Sequence, residues 1–161
     1  MPSRLQVSLF IFFVVALAVW VGGGVFLAIA THAHWYSQPV EYIRSASASA
    51  TAGEVNPWPI TTAIIALATL SGLVAFARYR GPGRREALGS MTVVLVVLVA
   101  TFAYFVPTLL KFAKPEILSD AQIVSMSRTW VVANLVRIAS LLGVLVLSQV
   151  ALLRFGKSTR D

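Results

Sequence analysis

Apolar side chains in this chain gather into four long runs, Leu5–Ala30, Ile60–Ala77, Leu88–Leu110 and Trp130–Leu153, with nearly all charged residues between or beyond them. A helix crosses the ~30 Å hydrocarbon layer of a bilayer with about 20 residues, so each run is long enough to span. The pattern predicts an all-α integral membrane protein: one domain of four transmembrane helices, at about 5–30, 60–79, 88–110 and 129–153. Four spans joined by modest connections fit an up-down-up-down four-helix bundle. The first run exceeds the roughly 7–15 apolar residues of a cleaved signal peptide, so it is expected to remain as helix 1.

The connections carry their own signals. SASASATAGEVNPW reads as a flexible outer loop or a short, weak helix, and Asn56-Pro57-Trp58-Pro59 as a turn with Trp58 anchored at the interface. The short RYRGPGRRE connection makes helices 2 and 3 antiparallel neighbours. Ser119-Asp120 is expected to cap a short outer helix leading into helix 4.

Composition agrees with a membrane location. Of the 161 residues 58% are hydrophobic and 12% charged, whereas soluble domains carry about 25% charged residues; mean hydropathy is +0.82. The formal net charge of +7 is unevenly placed. Arg78, Arg80, Arg84 and Arg85 crowd the second connection, Arg4 precedes helix 1, and Arg154, Lys157 and Arg160 follow helix 4. The first connection sets Arg44 against Glu41 and Glu54; the third sets Lys111, Lys114 and Arg128 against Glu116 and Asp120. By the positive-inside rule both termini and the second connection are cytoplasmic. A bacterial inner membrane is the expected location. The basic excess is then a topology signal, and no nucleic-acid partner is expected. Cysteine is absent, which excludes thiol–disulfide exchange, c-type haem attachment and cysteine-ligated clusters.

Candidate chemistry lies where polar groups interrupt the runs. Trp130, Asn134 and Arg137 stand at i, i+4 and i+7, on one face of helix 4. Arg137 is the only charge inside the four runs. With Trp130 at the outer interface, it lies about 10 Å deeper at ~1.5 Å per residue. An arginine near a helix centre costs ~2.5–3.5 kcal/mol to insert, and it faces the bundle interior or a wet cavity. Its guanidinium cannot shed the proton, so it needs an anion, a ring of acceptors, or water. No run contains Asp or Glu. Asn134, Ser140, Tyr104, Thr101, Thr108 and carbonyls freed by Pro107 are candidate acceptors; Glu41, Glu54, Glu116 or Asp120 could fold inward; an anionic ligand could complete the site. The plainer reading makes Arg137 an internal tie between helices. The missing carboxylate argues against proton-coupled cation export.

Pro107 is expected to kink helix 3, with Tyr104, Thr108 and Lys111 lining that end. In helix 1, Ala18 and Gly22, and Gly24 and Ala28, are spaced for close helix packing; the Gly22-Gly23-Gly24 face could instead floor a groove for a flat ligand. His32 and His34 point about 200° apart on a helix and cannot share a metal unless the chain unwinds. No third ligand is spaced to help, so no metal is expected and an interfacial belt with Trp35 and Tyr36 explains them. Haem between these two histidines is less favoured still.

Helix 4, with Asp120 ahead of RTWVVANLVRIASLLGVLVLSQVAL, resembles the closing segment of the anthrone-oxygenase-like family of small four-helix membrane proteins. Members show Trp, then Asn or His, then Arg at this spacing, followed by an apolar run ending in Ala-Leu. The glycine-rich first helix and Pro107 also fit. Thr108 departs from the pattern, since many relatives have Asn shortly after that proline. The resemblance implies oxidation of a flat phenolic anthrone by molecular oxygen as co-substrate, without a dedicated metal or flavin. Arg137 would stabilise the enolate as an oxyanion hole does, Asn134 would donate to the same oxygen, and Trp130 would stack on the ring. Tyr104, Pro107, Thr108 and the glycines would line a pocket between helices 1, 3 and 4. The base is left open among His32, His34, a loop carboxylate and self-ionisation beside Arg137. The competing expectation is a non-catalytic binder, transport accessory or assembly subunit. Partners in either case are a hydrophobic small molecule and membrane lipids, with a homo-oligomer left open.

Overall fold

The structure is a computed structural model that describes residues 2–49 and 58–157. Among the described residues every regular element is helical: α1 (Arg4–Ser37), α2 (Pro39–Ser49), α3 (Trp58–Ala77), α4 (Arg84–Ala100), a π-helical turn (Thr101–Phe105), α5 (Val106–Phe112), a 3-10 turn (Pro115–Ile117) and α6 (Asp120–Lys157). Four helices are long and apolar enough to cross a membrane: α1, α3, the continuous Arg84–Phe112 segment, and α6.

Helix α1 starts at a reciprocal cap, in which the Ser3 hydroxyl accepts from the Gln6 amide and the Gln6 side chain accepts from the Ser3 amide. It then runs past its expected end through THAHWYS. Its 34 residues extend about 51 Å at 1.5 Å per residue, well beyond the ~30 Å hydrocarbon layer. His32 and Trp35 therefore occupy the last turns of a continuous helix. The serine-alanine segment takes the helical alternative as far as Ser49; Glu54 and the Asn56-Pro57 half of the expected turn lie outside the described residues. Trp58 and Pro59 already belong to α3.

The spans close a ring in which α1 and α4 each pack against both α3 and α6. One end is fastened by polar ties and stacked rings. Gln6 Nε2 donates to the Ala75 carbonyl at 2.7 Å, and Glu86 pairs with Arg154. The Phe10 ring lies 5.5 Å from Phe155 and 5.7 Å from Phe76. Tyr79 packs on Phe76 and Phe155 and donates its hydroxyl to the Pro82 carbonyl. The turn into α4 needs Gly83: its φ is +80°, and a Cβ there would lie 2.6 Å from the Phe155 ring and 2.9 Å from the Ala151 carbonyl. Arg4, Arg78, Arg80, Arg85 and Arg154 are exposed at this end.

The far end shows what Pro107 does to its helix. The proline has no N–H and its ring crowds the carbonyl four residues back, and the helix widens just before it into the π-turn, where the Val106 amide donates to Thr101. Ser119 caps as expected, its hydroxyl accepting from the Gln122 amide and its own amide donating to the Gln122 side chain, but the helix it starts is α6 itself, 38 residues without a break. Across this end lies α2, with Ile43 buried against Phe112 and Ile123 and Arg44 paired to Asp120 at 2.8 Å.

Candidate functional site

The helical period of α6 delivers Trp130, Asn134 and Arg137 to one face, and that face meets α1 and the π-turn. Asn134 is 2% exposed; Trp130 and Arg137 are partly buried. Opposite Asn134 stands His32, also buried, with His32 Nε2 and Asn134 Nδ2 2.9 Å apart. The ring of Trp130 meets His32 edge-on at 5.6 Å and tilts over Trp35 at 4.6 Å. Phe112 closes the column beyond Trp35 at 5.3 Å. From the third span, Phe105 packs edge-on to Trp130 at 5.8 Å. The π-turn ends at Phe105, so the extra residue per turn fixes the phase at which this ring leaves the helix.

Arg137 is held by ring faces. Its Cζ lies 4.5 Å from the Phe105 centroid and 5.8 Å from that of Trp20. Among the described residues it has neither an ion pair nor a hydrogen bond. Several of the acceptors named from the sequence make their contacts elsewhere. Thr101 and Thr108 donate to the carbonyls of Val97 and Tyr104 in their own helix. Ser140 is exposed and donates to the Val136 carbonyl. Glu41 and Glu116 are exposed, and Asp120 is taken by Arg44.

Five buried polar atoms in this cluster have no hydrogen-bond partner in the structure: Trp20 Nε1, Trp130 Nε1, Arg137 Nε, His32 Nδ1 and Asn134 Oδ1. Each such group costs about 1–3 kcal/mol when left unmatched, so their concentration in one place marks a locus built for polar contacts. Three are obligate donors, Asn134 Oδ1 is an acceptor, and His32 Nδ1 can be either. Electrostatically the locus is cationic, with aromatic walls and no carboxylate paired to it among the described residues.

The remaining candidates are dispersed. Tyr104 packs edge-on to Phe105 at 5.2 Å, one residue from the cluster, while Pro107 is exposed. Gly22 has open space where a Cβ would point, Gly23 lies under the Trp58 ring at 3.5 Å, and Gly24 faces Ile138 of α6 at 3.8 Å. The three glycines thus share no neighbour: one faces open space and the other two face different residues. His34 is exposed and stacks on Tyr42 at 5.6 Å, away from His32. Among the described residues no group of three metal-capable side chains forms. An open groove of about 520 Å³ lies on the surface between α3 and the third span, lined among others by Ala66, Leu70, Leu98 and Phe102. Its lining is almost entirely apolar and does not include Arg137.

His32 reads from the sequence as a belt residue, a weak metal ligand or one of several candidate bases, and its partnership with Asn134, across 102 positions, carries no signal there. Phe105 depends on the π-turn. Trp20 does carry a signal, because an indole in the middle of an apolar run is away from the interface where tryptophan usually sits. No protein-family model, no curated protein and no solved structure matches this chain.

Proposed function

We propose that the protein is a membrane-embedded oxygenase that holds a flat, hydrophobic phenolic or anthrone-type molecule beside Arg137 and oxidises it with molecular oxygen. The observation that carries this reading is Arg137 itself: a guanidinium in the middle of a span, bounded by aromatic faces and matched by no carboxylate among the described residues. A planar anion with an apolar body suits such a place. Its oxygen would receive Arg137, and its ring the aromatic walls; in a low-dielectric interior such a contact is far stronger than in water. In net terms a ring methylene loses two hydrogens and gains one oxygen atom, and the other oxygen atom leaves as water. The resemblance in helix 4 supports the same assignment of roles to Trp130, Asn134 and Arg137.

Orientation belongs to this proposal. The exposed arginines collect at the end where α1 begins, α3 ends, α4 begins and α6 ends, which supports an up-down-up-down bundle with both termini in the cytoplasm. The aromatic column then opens toward the outer side of a bacterial inner membrane.

A second reading has one observation in its favour. The apolar groove between α3 and the third span lies away from Arg137, as it would in a non-catalytic binder or assembly subunit whose arginine is structural. Ligand-dependent oxygen uptake separates the two, using protein in nanodiscs, a panel of hydrophobic phenols and anthrones, and Arg137→Leu and Asn134→Leu as comparisons. Uptake that both substitutions abolish in folded protein supports the oxygenase. No uptake by wild type refutes it.

A further inference from the structure

We propose that the turn between α3 and α4, together with the start of α1, is a binding site for an anionic phospholipid, whose phosphate meets Arg78, Arg80 and Arg85 and one of whose chains lies along α3. This site is separate from Arg137 and stands whether or not that residue holds a phenol. Arg4, Arg78, Arg80 and Arg85 are exposed at one end of the bundle, and none has an ion pair or hydrogen bond among the described residues. The one described carboxylate at this end, Glu86, pairs with Arg154. Arg84 turns back and donates to the Ala77 carbonyl at 3.1 Å, closing the end of α3. The described arginines here thus divide: two are partnered by the chain, and four are left open. At the far end the cations are mixed with Glu41, Glu116 and Asp120, and Arg44 is paired to Asp120.

The turn that carries these arginines is held from within. Tyr79 is buried against Phe76 and Phe155 and donates to the Pro82 carbonyl at 3.1 Å, and Gly83 completes the turn at φ +80°. Gln6 ties the first turn of α1 to Ala75, near the end of α3, at 2.7 Å, which brings Arg4 to the same rim. A guanidinium presents its N–H groups as a planar fork that fits two phosphate oxygens. The surface below the turn says what carries the phosphate. Leu67, Leu70 and Val74 share one face of α3 and are 65%, 52% and 78% exposed; Arg78 follows directly where the helix ends. Leu67 lies about 15 Å from that end at ~1.5 Å per residue, half of the ~30 Å hydrocarbon layer and so the depth of one leaflet. At Leu70 this face runs into the open apolar groove between α3 and the third span. A phosphate borne on an apolar chain matches both surfaces in order. A soluble acidic protein or a free phosphate matches only the charged one.

The test titrates full-length protein in neutral detergent micelles with phosphatidylglycerol or phosphatidylcholine and counts retained lipid by native mass spectrometry. Wild type retains phosphatidylglycerol in preference to phosphatidylcholine, and the bound lipid raises the unfolding midpoint because it binds the folded state. Combining Arg78→Gln, Arg80→Gln and Arg85→Gln weakens retention by about a hundredfold, at about fivefold for each basic group facing an anionic lipid. The helicity of this variant, and its midpoint without lipid, stay those of wild type, since the three side chains have no partner in the chain. Glycerophosphoglycerol, the headgroup without chains, binds at least about tenfold more weakly than the lipid, the equivalent of about two buried methylenes. Combining Lys111→Gln, Lys114→Gln and Arg128→Gln removes three cations from the far end and leaves retention as in wild type. Equal retention of the two lipids by wild type overturns the proposal, and so does undiminished retention in the Arg78, Arg80 and Arg85 variant. An equal loss in the far-end variant reduces the preference to general charge attraction and overturns the site. Headgroup binding as tight as lipid binding overturns the lipid assignment in favour of a free phosphate.

Discussion

Replacing Arg137 with leucine is expected to leave the folded bundle about as stable as wild type or more so, while abolishing binding of phenolate ligands. On the insertion scale leucine at a helix centre is favourable by ~0.3–0.6 kcal/mol and arginine unfavourable by ~2.5–3.5 kcal/mol, so the exchange favours leucine by roughly 3–4 kcal/mol. Against this, the substitution removes the cation–π approaches of the guanidinium to Phe105 at 4.5 Å and to Trp20 at 5.8 Å, each worth about 0.5–2 kcal/mol. It breaks no hydrogen bond or ion pair with a described residue. The balance runs from a loss of about 1 to a gain of about 3 kcal/mol. A buried arginine serving as a tie gives a larger loss, because removing one partner of a buried pair costs about 3–5 kcal/mol. The assay is reversible unfolding in mixed micelles followed by helicity, alongside 2-naphthol binding in nanodiscs. A loss of stability of about 2 kcal/mol or more in Arg137→Leu, approaching the cost of breaking a buried pair, would refute the reasoning and return Arg137 to a structural role.

Other consequences can be checked separately. Gly83→Ala forces a Cβ toward the Phe155 ring and the Ala151 carbonyl at positive φ; a destabilisation of about 1–3 kcal/mol is expected in the same unfolding assay, and an unchanged midpoint would contradict the role given to the turn. Pro107→Ala restores the missing N–H and should let the π-turn relax to regular α-helix, moving Phe105 off Arg137; fluorine NMR of labelled phenylalanines would show it, and an unshifted Phe105 signal would mean that the proline does not make the turn. Burial holds the Tyr79 hydroxyl above its ordinary pKa of 10.0. The neutral phenol is thus the form favoured by folding, so its contribution is complete below 10.0 and is lost as pH rises through the folded value. Tyr79→Phe should flatten that alkaline limb, at a cost of about 0.5–1.5 kcal/mol for the missing bond to Pro82, and an equally steep limb in the variant would assign it to another group.

What the sequence discloses and what it hides divide along a physical line. Span number and the shared face of Trp130, Asn134 and Arg137 follow from length, hydropathy and the helical period, which are local properties, and they are legible. The partner of Asn134 is not, because pairing across 102 positions is decided by how α1 and α6 pack. His32 also looks peripheral because the apolar run closes near Ala30, whereas the helix continues to Ser37; polar residues can extend a span into the interface without breaking it. Phe105 is hidden for a different reason. A π-turn inserts one residue into the helical phase, so an α-period count past Thr101 assigns the wrong face to everything on the far side. Thr108 illustrates the limit of residue type as a guide: its hydroxyl suggests pocket lining, yet it donates to the Tyr104 carbonyl of its own helix.

The choice of aromatic faces over a carboxylate to hold Arg137 bears on function more than on folding. A carboxylate would neutralise the guanidinium permanently, and a ligand anion would then have to displace it. Ring faces stabilise the cation without supplying a lone pair, so its N–H groups keep their capacity to bind an oxygen anion. The same logic extends to the indoles of Trp20 and Trp130, whose buried N–H groups have no acceptor in the structure. Each unmatched donor lowers the stability of the bundle, and selection for stability alone would replace it, since stabilising changes are readily found. Stability and ligand affinity at Arg137 then oppose each other, and their joint measurement across Arg137, Asn134 and His32 distinguishes a site from a strut.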